Sequence, residues 1–322
     1  MSKNNYKYRF TLFTPCYNSA KFIDRMKTSV EGQTFKNFEW IIVNDNSSDN
    51  TLEILREYIK TVNFPVKLIN NTQNLMLAAN YNIAMEQAEG EYFVTLDHDD
   101  EYSSNYLEIM DELIKKYDSP KVAGVVARCK TQYGKVTPTI EYKRPIMGYW
   151  EYAVDRNGHY LGEVPRAFKS DILRNYIPFD PEEVHNPVIE AMMSYDGYSF
   201  ITTNEIIRVH YRYEDGHASV GRNMNKLTVY NWRRALRELN DYYRCYNQSI
   251  DVQFNWILKY AADSIRLGLS YSKAINALKR RRLLVSLVYP LAAIKVALSK
   301  NEFIHGIWQN HLMMKEVNNV NK

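Results

Sequence analysis

Residues 91–100 read Glu91-Tyr92-Phe93-Val94-Thr95-Leu96-Asp97-His98-Asp99-Asp100. An aromatic and β-branched run ending in aspartates is the pattern of a strand that delivers carboxylates into a turn. Successive side chains of an extended segment point to opposite faces, so only a turn lets Asp97 and Asp99 serve one ligand. Upstream, strand and helix signals alternate. Residues 8–14 form a strand stopped by Pro15, and Ser19 can cap a helix running to about Glu31 with Phe22, Ile23, Met26 and Val30 on one stripe. A second strand at 39–43 runs into Asn44-Asp45-Asn46-Ser47-Ser48-Asp49, which is dense turn chemistry. A helix at 51–59, a strand at 66–69 and a helix at 75–87 precede the quoted strand; a helix at 105–116 and a strand at 122–127 follow it. This order predicts an α/β fold, a mostly parallel sheet flanked by helices.

From 130 to 224 the pattern is irregular, and long irregular stretches in enzymes carry binding loops. Residues 225–300 read as consecutive helices, with Trp232, Leu236, Leu239, Trp256, Ile257, Tyr260 and Ile265 at helical spacings. The expected organisation is therefore a domain over 1–224 and a helical region over 225–322. Charge divides the same way: residues 225–322 hold 16 Lys and Arg against 6 Asp and Glu, and the remainder 25 against 31. A basic segment beside an acidic domain suggests two kinds of partner. Three scattered cysteines, Cys16, Cys129 and Cys245, argue against a disulfide framework or zinc site and suit a reducing compartment. Met1-Ser2-Lys3-Asn4-Asn5 leads into the first strand without an apolar leader, so the expected location is cytoplasmic.

In an open parallel sheet, ligands bind beyond the carboxyl ends of the strands. Pro15-Cys16-Tyr17-Asn18, Asn44-Asp45 and Asp97-His98-Asp99-Asp100 all fall there. A hard divalent cation, Mn²⁺ or Mg²⁺, takes oxygen ligands and is commonly held by one or two carboxylates plus substrate phosphates. It neutralises charge on a departing diphosphate. Asp45 could accept hydrogen bonds from a nucleoside base. The same aspartates could instead be charge favourable to a following helix, and His98 a solvated turn residue. The sequence holds no GxGxxG opening a helix, no P-loop, no HExxH and no GxSxG.

These segments resemble the family 2 glycosyltransferases, which have the GT-A fold. Residues 10–18 resemble their first strand and turn, 33–45 followed by Ser47-Ser48-Asp49-Asn50-Thr51 their second, and Gly90-Glu91-Tyr92-Phe93 with 96–100 the strand carrying the DxD motif. Asn204-Glu205 and 213–219 resemble segments of bacterial surface-polysaccharide members. The resemblance implies that Pro15, Tyr17, Asp45, Asn74, Asp97 and His98 contact a nucleotide sugar, with Asp97 and Asp99 at the metal. It implies inverting transfer to a glycan or lipid-linked acceptor, with a carboxylate as base. Asn44 stands where the family has the first of two aspartates, and Leu75-Met76-Leu77 replaces a Gly-rich stretch. For the base, Glu183 is the first choice in Asp180-Pro181-Glu182-Glu183-Val184-His185; Glu182, Glu190 and His185 are alternatives. His210 is either a third metal ligand or a hydrogen-bonded strand histidine.

Lys279-Arg280-Arg281-Arg282 precedes a mostly apolar run at 283–298 interrupted by Pro290 and Lys295. A spanning helix needs about 20 residues, so a segment lying on an anionic membrane or packed on the protein fits better. No aromatic-interleaved basic platform accompanies the run, so no nucleic-acid partner is expected. A sugar-phosphate nucleotidyltransferase would carry a Gly-rich, basic loop after its first strand, where this chain has Pro15-Cys16-Tyr17-Asn18-Ser19. An inactive scaffold at the membrane surface would keep the fold and fail to bind nucleotide.

Overall fold

The computed structural model describes residues 6–153, 161–177, 188–211, 232, 233, 235, 236, 239, 240, 250–279 and 281–298. They divide between one unit within Met1–Asp155 and Tyr160–Arg212, and another within Arg156–His159 and Tyr213–Lys322.

The first unit is built on β1 (Tyr8–Cys16), flanked by β2 (Phe38–Asn44) and β4 (Gly90–Thr95), with β3 (Val66–Asn70) outside β2. All four strands run parallel. Parallel strands are covered on both faces and read as continuous apolar runs. β2 obeys this, with every residue buried. Its Glu39 is the exception in type: at 1% exposure it accepts from Thr11 Oγ1 at 2.7 Å and the Glu89 amide at 2.6 Å, and pairs with Lys67 at 3.0 Å. A buried carboxylate is tolerable when it is paired and hydrogen-bonded in this way. Gly90 opens β4 because a Cβ there would lie 2.3 Å from the Thr11 amide nitrogen.

One face of these strands packs Phe10, Leu12, Trp40, Ile42, Tyr92 and Val94 into a core shared with α1 (Ile23–Glu31), α2 (Thr51–Tyr58) and α4 (Tyr106–Tyr117). On the other face, Tyr81 of α3 (Met76–Gln87) meets Phe13 edge-on at 5.5 Å and Phe93 at 5.0 Å. Ser19 makes no side-chain cap to the helical turn that follows it. Its hydroxyl accepts the Tyr17 amide at 3.0 Å, so it shapes the loop after β1 instead.

The second half of the sheet is mixed. β5 (Glu101–Tyr102), β6 (Val122–Thr131), β7 (Val136–Thr137), β8 (Ile146–Met147), β9 (Arg166–Lys169) and β10 (Ser199–His210) complete the order β3-β2-β1-β4-β9-β6-β10-β5, with β7 on β6 and β8 on β10. β9 is antiparallel to both β4 and β6, while β6 and β10 are parallel to one another. Three short or medium helices, α5 (Tyr149–Tyr152), α6 (Ser170–Leu173) and α7 (Val188–Tyr195), sit between these strands in sequence.

From β1 the chain steps to β2 and β3 on one side, then crosses to β4 on the other. That reversal falls beyond the carboxyl ends of β1 and β4, the place where open α/β sheets bind ligands.

The second unit is helical: α8 (Ile250–Arg266), α9 (Tyr271–Ala277) and α10 (Arg282–Leu298), with helical residues between 232 and 240. Its core includes Trp232, Leu236, Leu239, Ile257 and Tyr260, with Trp256 and Ile265 partly buried against them. Trp232 stacks on Tyr260 at 5.9 Å and donates to Ser264 Oγ at 2.9 Å, which satisfies the indole nitrogen.

Candidate functional site

Register aligns the strand ends at this site: Cys16 lies beside Asn44, Asn44 beside Asn70, and Phe13 beside Thr95. The loops after β1 and β2 are then tied together. Asn18, at φ +49°, accepts from the Ser48 amide at 2.8 Å, and its own amide donates to Ser47 Oγ at 3.0 Å. Ser47 donates to Asn44 Oδ1 at 2.5 Å, and Asn44 Nδ2 donates to Asn70 Oδ1 at 2.6 Å. An amide at position 44 both accepts and donates, which an aspartate could not do there. Tyr17 stands above this lattice with 41% of its surface exposed, a ring free to meet a flat ligand.

Asp45 is buried, and the structure shows what its carboxylate does within the chain. It accepts from Asn71 Nδ2 and the Leu75 amide at 2.8 Å each, and from the Met76 amide at 2.9 Å. A negative charge at the start of α3 also favours the helix dipole. Asn74 is exposed and accepts the same Met76 amide at 3.1 Å. Met76 is held at φ +67°, a left-handed conformation that suits glycine. Such strain costs roughly 1–3 kcal/mol for a side-chain-bearing residue. Met76→Gly should therefore raise the urea unfolding free energy by about 1 kcal/mol, after the extra unfolded-state entropy of glycine is subtracted. Met76→Ala, which keeps the strain, should show no gain.

Asp97 leaves β4 directly. The preceding Leu96 amide donates to Phe13 O at 2.8 Å, and the Asp97 amide to Tyr102 Oη at 2.7 Å. Its side chain keeps 39% of its surface open while Oδ2 accepts Arg208 Nη1 at 3.1 Å. Withdrawal from water pushes its carboxyl up to about 7; Arg208 opposes the shift, and Asp100 and Asp99 reinforce it. Asp99 is raised mainly by burial, with His98 opposing. Its backbone carbonyl accepts Arg25 Nη1 at 2.7 Å, and the Arg25 guanidinium lies 3.7 Å from the Tyr211 ring centre. His98 is a fixed residue, with Nδ1 3.0 Å from Pro15 O. A carbonyl only accepts, so Nδ1 carries the proton.

Asp100 has a different role from its neighbours. It is fully buried and accepts from the Tyr211 amide at 3.0 Å and His210 Nδ1 at 3.2 Å, with Arg208 Nε at 3.4 Å. Burial works against its charge, but Arg208 and His210 outweigh it and hold the carboxyl below the ordinary value. His210 is thus a hydrogen-bonded histidine ending a strand, and Asp100 raises its pKa.

Arg208, on β10, is 6% exposed and reaches Asp97, Asp100 and Glu163, the last at 3.3 Å. The sequence singles out neither Arg208 nor Glu163 as a site residue. The one signal for Arg208 is a cation inside the apolar run Ile206-Ile207-Arg208-Val209; Glu163 carries none. Glu182, Glu183 and His185 lie outside the described residues. Glu190 is 2% exposed, accepts from Tyr152 Oη at 2.7 Å and pairs with Arg166 at 3.2 Å. Burial raises its pKa above the ordinary carboxylate value, with Arg166 and Tyr152 opposing.

The sheet order defines a GT-A-like fold. Residues 11–175 match the family described as "Glycosyl transferase family 2", and the chain belongs to that family. A putative teichuronic acid biosynthesis glycosyltransferase, TuaG of Bacillus subtilis, is 35% identical over 104 residues, 32% of this chain and 41% of that protein. The crystal structure of Staphylococcus aureus TarS 1–349 with UDP-GlcNAc superposes with a TM-score of 0.60 at 16% identity, covering 92% of this chain and 89% of that one. The mannosyltransferase PcManGT of Pyrobaculum calidifontis, in complex with GDP-Man and Mn²⁺, gives 0.55 at 17% identity, covering 95% and 88%. The chain spans less than half the length of the curated relatives it matches.

Proposed function

We propose that this chain is a metal-dependent inverting glycosyltransferase that moves a sugar from a nucleotide donor, UDP-linked, to a glycan or lipid-linked acceptor in cell-surface polysaccharide synthesis. The observation that carries this reading is the Asp97–Asp99 turn at the reversal of strand order, in a family 2 chain. The solved TarS complex with UDP-GlcNAc supports the donor, and the named role of TuaG supports the acceptor class. Catalysis belongs to the domain over 1–224, working at the inner face of the membrane with the basic region 225–322 as its peripheral contact.

Among the described residues no group of three or more His, Cys, Asp or Glu is arranged to hold a metal by itself. The donor set nevertheless fits a hard cation that would complete its shell with phosphate oxygens: Asp97 and Asp99 would offer it carboxylate oxygen. Mn²⁺ or Mg²⁺ held there would supply charge neutralisation at a leaving diphosphate. Within the chain's own contribution, Tyr17 and Pro15 form the wall for the nucleoside and Asp45 contacts its base. His98 and Asn74 complete the rim. The base is Glu183, or Glu182, acting on the acceptor hydroxyl.

This reading makes metal binding depend on nucleotide. UDP with Mn²⁺ should raise the thermal midpoint by about 5 °C at saturating ligand, with Mn²⁺ alone giving no shift. The absence of a shift with UDP, GDP or their sugar conjugates would sink the proposal and favour an inactive scaffold. Glu183→Gln should leave that shift intact and abolish transfer; near-normal turnover would pass the role of base to Glu182.

A further inference from the structure

We propose that the outward face of α10 is a docking face for an anionic lipid surface, on which the helix lies parallel to the membrane plane. The inference deepens the peripheral contact proposed above by naming its surface. It rests on the second unit alone, because vesicle binding needs no sugar donor.

Apart from Arg282, Ser286 and Lys295, the side chains of α10 are apolar or aromatic. A helix that is apolar all round is normally buried all round. This one is covered on one side only: Val285, Val288, Ala292 and Val296 face the core of the second unit. Opposite them, Leu283 is 73% exposed, Leu284 47%, Leu287 66%, Leu291 53% and Ile294 57%. At 100° per residue these five fall within an arc of about 100°, a continuous stripe along the helix. Such a contiguous apolar face on a water-soluble surface marks a binding site.

Charge selects the occupant. Residues 279–300 carry Lys279, Arg280, Arg281, Arg282, Lys295 and Lys300, six cations, and no Asp or Glu. Arg281 and Arg282 stand at the start of the stripe, and Lys295 is exposed beside it near the far end. Apolar side chains flanked by cations, with no acid among them, complement a surface that is apolar below and negative above, which is an anionic headgroup layer. A second copy of the chain would set these cations against one another across a two-fold axis. The helix has 17 residues, and no helix among the described residues is long and apolar enough to cross a membrane. Pro290 further suits a helix that rests on the interface, where a missing backbone hydrogen bond can be made to water or headgroups.

Cosedimentation of the full chain with vesicles tests this. Vesicles of phosphatidylcholine with phosphatidylglycerol should bind at least about tenfold more protein than phosphatidylcholine alone, and added salt should weaken the difference. Leu287→Gln with Leu291→Gln should lose about tenfold of the binding while melting at the wild-type temperature, because both side chains are already exposed. Arg282→Gln with Lys295→Gln should remove the preference for the anionic lipid. Asp97→Asn should bind vesicles as wild type does, which separates this surface from the donor site. A wild-type chain that stays in solution with both vesicle types overturns the proposal, as does equal binding by the leucine pair variant. A wild-type dimer that the same pair converts to monomer, without vesicle binding, assigns the face to a second copy and overturns it too.

Discussion

Asp97→Asn is expected to lose transfer by at least about a thousandfold while folding normally. Removal of one group that stabilises developing charge typically costs a hundred- to a thousandfold, and loss of a metal-bearing carboxylate removes more than one such contact. The structure makes the second half of this prediction unusual. Asp97 is not a quiet surface carboxylate, since its pKa of about 7 means that the folded state resists its ionisation. A raised aspartate makes the folded protein lose stability as pH climbs from the unfolded value near 4 through about 7. The asparagine keeps an oxygen to accept from Arg208 and carries no charge against Asp99 and Asp100. At pH 8 the variant should therefore be as stable as wild type or more so, by up to about 1 kcal/mol once screening of the half-open side chain is allowed for. At pH 4 the two should be alike. Turnover with urea denaturation at both pH values checks this. A variant that is inactive and also strongly destabilised at pH 8 would make Asp97 a structural residue.

The parallel half of the sheet was legible because burial on both faces writes itself into uninterrupted runs such as Glu39-Trp40-Ile41-Ile42-Val43, ended by turn chemistry. The same logic put Tyr17, Asp45 and Asp97 just beyond the carboxyl ends of neighbouring strands. The mixed half was not legible. β10 is a strand of 12 residues, but its pairing with β6 shifts register around Thr202–Ile206 and again before Arg208, and each shift breaks the alternation that a reader follows. β9 has only four residues, too few to carry a period. The donors to Asp45 were hidden for another reason: the amides of Leu75 and Met76 lie 30 and 31 residues away, and no spacing announces them. Asp100 shows the limit most clearly. Its residue type and its place beside Asp97 and Asp99 suggested one shared function, whereas its partners are on β10, 110 residues later.

Those partners make Arg208→Met the most destabilising single change expected in the first unit. Arg208 is 6% exposed and stands between Asp97, Asp100 and Glu163. Methionine fills much of the same volume, so the effect isolates the charge. It leaves Asp100, which has no exposed surface, with His210 as its remaining cation among the described residues. Removing one partner of a buried pair costs about 3–5 kcal/mol, far above the cost of losing an exposed one. The pH dependence distinguishes this cause from simple misfit. Asp100 is held below its ordinary value, so its contribution is present above a pH of about 4 and lost as the pH falls through its folded value. The deficit of Arg208→Met should accordingly be full at pH 7 and shrink below pH 4. Adding Asp100→Asn to Arg208→Met should recover about 1–3 kcal/mol, a coupling that independent sites would not show. Urea denaturation of the two single variants and the double closes the cycle; strict additivity would mean that Arg208 packs against β6 and β5 without holding the aspartate turn. Because the same guanidinium touches Asp97, Arg208→Lys should fold yet transfer poorly: a lysine is a point charge and cannot span two carboxylates at once.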